Sequence, residues 1–446
     1  MFQDSIPTAL ITKAQLYSLS VEEKNRREEA LLNKDFYYSK QDSSLELVNS
    51  DVNPITANIT ATIVRKKSSL LYGRPLVREF DGPSRSISFL ENLYEETNID
   101  YFLQKVDLAS ELTGTAIVFV GLDDEGRTQL DLYDSSEFSV VEKYNDHSKI
   151  DAITLVSIIT KLEGTEKNPS VKRALHTEIW TNEYITKYED GVRHTQERNE
   201  LEYLPFVAFR GEEVYGQYLG HAPATHIRQL NSYLNQQITN IGYMIKMQSA
   251  TPVVLGGFQQ GEGVVIHPGK AISLPAGATA DVLQLNPKIE EALENIKWLE
   301  QKSFELSGVP KVSVVGDDKA SSGKELLIKW YPLVQIFKEK SLRYEKYELN
   351  LANMILQING LEPVKDLNVK FPEEAILPYS PEADELETNI KLGIATPMDK
   401  LLKDDPSLAE TEAEAQVRAN IDFNRSLNPG GFDERSEQQR DRIPTE

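Results

Sequence analysis

The chain has 446 residues and no cysteine, and its 48 lysines and arginines against 70 aspartates and glutamates give a formal net charge of −22. This balance argues against a free-standing general DNA-binding protein, whose surface is normally basic, and the lack of cysteine excludes disulfides and thiolate metal sites. The length allows roughly two to four domains. The first ten residues do not resemble a signal peptide, and without an apolar run of about 18 residues we expect no membrane span.

The amino-terminal half changes from a helical to a strand-like pattern near residue 115. Before that point apolar residues recur at helical spacing, and Gly114 is predicted to cap a helix. From 115 to 210, short β-branched and aromatic runs alternate with turn residues, and Asp190-Gly191 is a strong hairpin signal. We therefore expect an antiparallel sheet within an α+β domain over residues 1–220.

Residues 222–248 show the clearest helical periodicity in the chain. Their apolar residues step by three and four, which predicts one continuous stripe. The stripe consists of Ile227, Leu230, Leu234, Ile238, Ile241 and Ile245. The remaining surface of the helix is rich in amides, namely Gln229, Asn231, Asn235, Gln236 and Asn240.

Three further segments follow this helix. A Gly- and Pro-rich module of short strands occupies 250–287, and a second helix is predicted over 288–307. Residues 309–322 are rich in glycine and serine, which favours a mobile segment. A long helix over 323–358 is expected to kink at Pro332, because proline removes one backbone hydrogen bond and clashes with the preceding turn.

The end of the chain, residues 381–446, is acidic, with eight bases against sixteen acids. Short helices are predicted in its first part. Residues 427–446 hold little apolar surface to offset the entropy of ordering, so we expect them to be disordered.

One stretch of this acidic chain is almost free of negative charge. Between Glu213 and Asp281 the only acid is Glu262, although about ten would be expected by proportion. The bases of the same stretch are Arg228, Lys246 and Lys270. One interpretation is chance, or burial against a neighbouring subunit. The other is a surface that faces a polyanion and lets it slide, because affinity for DNA rises steeply with the number of phosphate contacts.

No catalytic, cofactor-binding or metal-binding motif is complete in this sequence. Gly323-Lys324 is close to the end of a phosphate-binding loop, but Glu325 replaces the required Ser or Thr and Asp318 the first glycine. The six histidines do not pair at metal-ligand spacings, and Asp123-Asp124 is interpreted as a solvated turn. We therefore expect no enzyme activity and no cofactor. The tryptophans are interpreted as core or interface residues: Trp180, Trp298 and Trp330.

Four stretches of the chain, taken in order, resemble the portal proteins of tailed bacteriophages. Each looks like a portal segment: a helix ending in Y-G-x-P, a strand opening with Ser-Glu-x-Phe, a hairpin before P-x-V-x-F, and an S-G-(I/V)-P stretch ending in S-G. They are NITATIVRKKSSLLYGRPLV, YDSSEFSVVEKYNDHSKIDAITLV, ITKYEDGVRHTQERNELEYLPFVAFRG and ELSGVPKVSVVGDDKASSGKELL. The resemblance lies in their order across nearly the whole chain.

The resemblance implies an α+β portal-type fold with an α/β wing, a two-helix stem, a small β-containing clip, a long kinked helix and a helical crown. Carried onto this sequence, the parts are a wing at 1–220, stem helices at 221–249 and 288–308, a clip at 250–287, a tunnel loop at 309–322, a long kinked helix returning to the wing at 323–380, and a crown with an acidic flexible tail at 381–446.

Portal proteins form a ring, usually of twelve subunits, at one capsid vertex, and have no enzyme activity. The ring is the channel for DNA packaging by the terminase and for genome ejection, and the docking platform for the tail. The resemblance therefore implies these partners: double-stranded DNA, the terminase large subunit, a head-tail adaptor or tail protein, the major capsid protein and the scaffolding protein. It places the protein in the virion, and in the host cytoplasm during assembly.

The resemblance also suggests roles for particular residues. Tunnel-loop residues that could touch DNA are Val309, Lys311, Val314, Val315, Asp317, Asp318, Lys319 and Lys324. Stem and clip residues that could face the bore are Arg228, Gln236, Asn240, Lys246 and Lys270. Residues expected at the seam between subunits are Leu234, Ile238, Ile241, Ile245, Leu293 and Ile296.

Three other readings stay open from the sequence alone. The first is another ring-forming adaptor or connector of the head-tail junction. The second is a nucleotide-dependent packaging enzyme, against which the incomplete phosphate loop counts. The third is a monomeric DNA-binding module, against which the net charge counts.

Overall fold

The computed structural model describes residues 21–40, 54–165, 168–249, 253–256, 279–282, 289–311, 323–372 and 417–418. The chain divides into two units, one made of Met1–Ala320 with Ile328–Ile376 and one made of Ser321–Leu327 with Leu377–Glu446. Nearly all described residues belong to the first unit, and the fold given below is that of this unit.

The described helices are α1 (Val21–Tyr37), α2 (Ile59–Ser68), α3 (Ser84–Thr97), α4 (Ile99–Thr113), α5 (Ala224–Ser249), α6 (Ile289–Ser307) and α7 (Gly323–Ile358). The described strands are β1 (Val77–Asp81), β2 (Thr115–Leu122), β3 (Thr128–Asp134), β4 (Phe138–Lys143), β5 (Asp146–Thr165), β6 (Asn168–Thr181), β7 (Tyr184–Glu189), β8 (Val192–Arg198), β9 (Phe206–Arg210), β10 (Val253–Gly256), β11 (Thr279–Val282) and β12 (Asp366–Lys370).

Two antiparallel sheets pack face to face in the first unit. One has the strand order β3-β2-β9 and the other β4-β5-β6-β7-β8. Their shared core contains Ile117, Phe138, Ile153, Trp180 and Phe206. The α+β class predicted from the sequence is confirmed, and the strand-rich stretch forms these two sheets.

Helices cover the opposite face of the three-stranded sheet. Because side chains alternate along a strand, the neighbours of Ile117 on β2 point away from the second sheet, and Ala116, Val118 and Val120 are fully buried there. Helix α4 packs against β2, β3 and β9, and α3 packs against α4. The unit therefore has three layers: helices, the three-stranded sheet and the five-stranded sheet.

Two turn residues behave as the sequence predicts. Gly114 ends α4 with φ +89°, and a Cβ there would lie 2.5 Å from the carbonyl oxygen of Gly220, so only glycine fits. Asp190 and Gly191 both have positive φ and connect β7 to β8 as a tight hairpin.

The three long helices lie where the periodicity predicts them. Helix α5 begins two residues later than the predicted 222–248, α6 begins one residue later than predicted, and α7 spans the predicted range with Pro332 inside it. The kink at Pro332 stays a prediction. In the Gly- and Pro-rich module the described residues form one antiparallel pair, β10 with β11. Most of that module and nearly all of the acidic tail lie outside the described residues.

Candidate channel helices and their buried anchors

One face of α5 is bound to the rest of the chain by a row of polar side chains. Asn231, Asn235 and Thr239 stand four residues apart and are buried, although the sequence places the two asparagines on an amide surface. Opposite them runs the segment 54–58, which forms neither helix nor strand.

The polar row binds backbone groups of this segment and of the first turn of α2. Hydrogen bonds run from Ile55 N–H to Thr239 Oγ1 (2.9 Å), from Ala57 N–H to Asn235 Oδ1 (2.8 Å), from Asn231 Nδ2–H to Ala57 O (2.7 Å) and from Thr60 N–H to Asn231 Oδ1 (3.0 Å). A Cβ at Gly242 would lie 3.0 Å from Ile55, so the segment runs close to the helix there. These contacts fix α5 against the start of α2.

A second amide joins α1 to α2. The Oδ1 atom of Asn58 accepts the Ala61 N–H and so caps α2, while its Nδ2 donates to the carbonyl oxygens of Phe36 and Tyr37 at the end of α1. A helix leaves backbone N–H groups unpaired at its start and carbonyl groups unpaired at its end. Asn58 thus pairs an N–H at the start of α2 and two carbonyl oxygens at the end of α1.

Arg228, predicted for the bore, is bound to α1. Its Nε donates to Asn33 Oδ1 at 2.7 Å, and its guanidinium lies over the Phe36 ring. Burial lowers the pKa of Arg228, partly offset by Glu29. Asn33 is itself buried and donates to Thr225 Oγ1. Arg228 therefore helps to fix the start of α5, and a contact with DNA stays a prediction.

The opposite face of α5 is free of charged residues from Gln229 to Ile245. Gln229, Tyr233, Gln236 and Asn240 recur along this face and are exposed or half-exposed. The five predicted surface amides therefore form two sets. Asn231 and Asn235 anchor the helix inside the chain, whereas Gln229, Gln236 and Asn240 lie on its outer face.

Two residues predicted for the subunit seam belong to the core of the chain itself. Leu234 is 1% exposed and Ile241 is 5% exposed, so these two side chains pack within the chain and leave little surface for a neighbour; their place at the seam stays a prediction. Ile245 and Leu293 are nearly half exposed. The remaining two, Ile238 and Ile296, are partly buried.

The first residues after α6, which the sequence analysis assigns to the tunnel loop, contact the rest of the chain. Gly308 adopts a left-handed conformation, Val309 is buried, and its N–H donates to Ser307 Oγ. Lys311 forms an ion pair with Glu300 at 2.8 Å. Of the other predicted loop residues, Lys324 lies in the first turn of α7, and Val314, Val315, Asp317, Asp318 and Lys319 lie outside the described residues, as does Lys270 of the clip.

Helix α7 is held in the core by a buried ionic network that sequence reasoning missed. Lys340 is 1% exposed, and its Nζ lies 2.6 Å from Asp107 Oδ1 and 2.8 Å from Glu111 Oε1 on α4. Tyr344 donates to Asp107 at 2.7 Å, and Lys67 Nζ lies 3.5 Å from Glu111. The two carboxylates are therefore balanced by two ammonium groups.

Burial and attraction oppose each other in this network. Burial alone would lower the pKa of Lys340, but attraction to the two carboxylates outweighs it and raises that pKa. Burial alone would raise the pKa of Glu111, yet Lys340 and Lys67 lower it to about 2. For Asp107, the effect of burial is larger than the attraction to Lys340, and the pKa rises to about 6. Lys340 therefore favours the charged form of these carboxylates, although they are buried away from water.

A second buried network lies one turn further along α7. Glu348 accepts from Arg78 Nε at 2.6 Å and from the Tyr72 hydroxyl at 2.8 Å, while Arg78 also pairs with Asp100 at 2.7 Å. Burial raises the pKa of Glu348 in spite of Arg78. Lys340, Tyr344 and Glu348 stand four residues apart, so one stripe of α7 carries both networks.

The described residues contain no group of three or more side chains that could hold a metal ion. Among the helices of the described part, none is long and apolar enough to cross a membrane.

Replacing Asn235 with leucine is expected to lower the free energy of unfolding by about 1–3 kcal/mol, because the partly buried Ala57 N–H loses its acceptor. Hydrogen exchange should accelerate at Ala57. Asn240→Leu, on the outer face of the same helix, is the matched control and should leave both quantities almost unchanged. Equal effects of the two substitutions would contradict the anchoring role of Asn235.

Comparison with known families gives one match that covers most of the chain. Residues 18–389 match the family described as "Phage portal protein, SPP1 Gp6-like". Comparison with curated proteins gives no match.

The matches among solved structures include the following three. "Virion of native gene transfer agent (GTA) particle" is 12% identical with a TM-score of 0.44, covering 76% of this chain and 88% of that chain. "Neck of empty GTA particle computed with C6 symmetry" is 14% identical with a TM-score of 0.46 and the same coverage. "Neck of native GTA particle computed with C12 symmetry" is 12% identical with a TM-score of 0.44, covering 75% and 84%.

Proposed function

Because this chain belongs to the SPP1 Gp6-like family of phage portal proteins, we propose that it forms a ring, of about twelve subunits, at one capsid vertex. The ring is the channel through which double-stranded DNA is packaged and ejected. It docks the terminase large subunit during packaging and an adaptor or tail protein afterwards, within a shell of major capsid and scaffolding protein. Assembly takes place in the host cytoplasm, and the finished ring is part of the virion.

The observation that carries this proposal, beyond the family, is the two-sided character of α5. One side is bound to the chain by buried hydrogen bonds, and the other carries amides and no charge from Gln229 to Ile245. A surface past which DNA moves must neither repel phosphates nor hold them, since each added phosphate contact raises affinity and its dependence on salt. We assign Gln236 and Asn240 to the bore on this ground, with Lys246 and Lys270 as sparse basic contacts.

The tunnel loop proposed for the bore begins after Lys311, because Val309 and Lys311 are fixed to α6. It extends to the start of α7 and contains Val314, Val315, Asp317, Asp318 and Lys319, with Lys324 just beyond. Its lysines would touch phosphates weakly, and its aspartates would limit adhesion. The protein itself performs no catalysis, so the purified chain is expected to hydrolyse no ATP in a phosphate-release assay.

Ile245→Asp is expected to raise the concentration needed for half-assembly of the ring at least about tenfold. Ile245 is 48% exposed, so a charge at this position does not disturb the core of the monomer. In the assembled ring the introduced carboxylate would be buried in the proposed seam without a partner, which is costly. Analytical ultracentrifugation measures the assembly, and circular dichroism confirms that the monomer is folded. Val192→Asp, an exposed position on the β7–β8 hairpin, is the control. Unchanged assembly of the Ile245 variant would remove this residue from the seam.

A further inference from the structure

The hairpin of β5 and β6 extends well beyond the sheet to which it belongs. The two strands pair continuously from Ala152↔Thr181 to Thr165↔Asn168. On one side β4 pairs with β5 only as far as Leu155, and on the other β7 pairs with β6 only from His176. Within the described strands, the eight pairs from Ile158↔Leu175 outward therefore form a ribbon of two strands, which spans about 26 Å.

A ribbon of this kind calls for a partner. Two-stranded hairpins are only marginally stable in water, and an open strand edge is a ready surface for association. The two bases of the ribbon whose side chains the structure describes, Lys172 and Arg173, are both exposed, and by sequence residues 158–175 hold four bases against two acids. The stretch 158–175 is thus net positive by sequence, in a chain of net charge −22.

The opposite flank of the same unit is acidic. The layers run from α3 and α4 through the three-stranded sheet to the five-stranded sheet, so α3 and the ribbon belong to different outer layers. Glu91, Glu95 and Glu96 of α3 are all exposed, and Arg85 is the one base in this helix. Glu91 and Glu95 stand four residues apart and share one face of the helix.

We propose that the ribbon of one subunit lies on α3 of the next subunit in the ring. The proposal rests on the proposed ring, because a head-to-tail ring joins two different surfaces of the same chain. A basic surface on one flank and an acidic surface on the other satisfy that requirement. The partner is a second copy rather than DNA, since residues 158–175 hold two acids beside their four bases by sequence, and half-buried Ile158 and Ile159 lie on the same hairpin as the exposed Lys172 and Arg173.

Charge reversal with rescue tests the proposal on the full-length chain. Lys172→Glu with Arg173→Glu is expected to raise the concentration for half-assembly at least tenfold, measured by mass photometry and negative-stain imaging. Adding Glu91→Lys with Glu95→Lys to the same chain should restore assembly to within about threefold of the wild type. Arg193→Glu, an exposed position on β8, is the control and should leave assembly unchanged.

Disulfide cross-linking provides a second measurement. Because the chain has no cysteine of its own, only the introduced cysteines can form the link. Mixing an Arg173→Cys variant with a Glu95→Cys variant should give disulfide-linked dimers that contain one chain of each kind.

The outcomes separate this proposal from the proposed function. A wild-type chain that forms no ring would overturn the portal function, and the docking with it. Wild-type rings together with unchanged rings from the reversed ribbon would overturn the docking alone. Failure of the α3 reversal to restore assembly would overturn α3 as the partner surface. Unchanged rings with weaker DNA binding by the reversed ribbon would assign the ribbon to DNA instead.

Discussion

Replacing Lys340 with methionine is expected to lower the free energy of unfolding by about 3–5 kcal/mol, the usual cost of leaving a buried charge without its partner. Methionine fills a similar volume, so the loss comes from charge rather than from a cavity. Asp107 and Glu111 would both remain buried, and only the more distant Lys67 would balance them. Urea unfolding followed by tryptophan fluorescence measures the change.

The control for this experiment lies on the same helix. Lys346 is exposed, and Lys346→Met is expected to change the free energy of unfolding by less than about 0.5 kcal/mol. Adding Asp107→Asn and Glu111→Gln to the Lys340 variant should recover part of the lost stability, because no charge is then left uncompensated. A Lys340 variant as stable as the Lys346 control would show that the network does not hold α7.

Deleting residues 314–319 is expected to abolish DNA filling of capsids while leaving the ring intact. These residues form the middle of the proposed tunnel loop, which is the part of the chain expected to reach DNA in the bore. Packaged DNA per capsid, measured as nuclease-resistant DNA, should fall to background. The residues proposed for the subunit seam lie on other segments, so ring assembly should match that of the wild type.

A variant with the same six positions changed to glycine and serine separates loop length from loop chemistry. Filling restored by this variant would assign the role to the length of the loop, and filling still absent would assign it to the valine, lysine and aspartate side chains. Full filling by the deletion variant would contradict a role for the loop in packaging.

Much of the fold could be predicted because it depends on local patterns. Apolar residues at steps of three and four locate α5, α6 and α7, and Asp190-Gly191 locates a hairpin whose two residues need positive φ. The sheet content follows from β-branched runs. These signals depend on neighbours within a few residues, which the sequence displays directly.

The buried polar residues were harder to predict, because their partners are distant in sequence. Asn235 binds the backbone of Ala57, 178 residues away, and Lys340 binds Glu111, 229 residues away. A local signal nevertheless existed. Lys340 stands three residues after Phe337 and four before Tyr344, inside the apolar stripe of α7, and a charge inside such a stripe calls for a buried partner.

The candidate site was predicted only in part. The amide-rich surface of α5 turned out to be two surfaces, because an asparagine at Asn231 lies between Ile227 and Leu234 on the inner face of the helix. The mobile segment predicted at 309–322 begins with residues that contact the rest of the chain, since composition does not reveal that Lys311 pairs with Glu300; the role of the segment as a tunnel loop stays a prediction. The assignments to the bore and the seam depend on neighbouring subunits, which a single chain does not display.

The mass of the assembled protein tests the central claim most directly. The full-length chain is concentrated, and mass photometry is combined with negative-stain images of the same sample. The portal function predicts a closed ring with a central hole and a mass about twelve times that of the 50.4-kDa chain. A monodisperse, compact dimer without a central hole would contradict it.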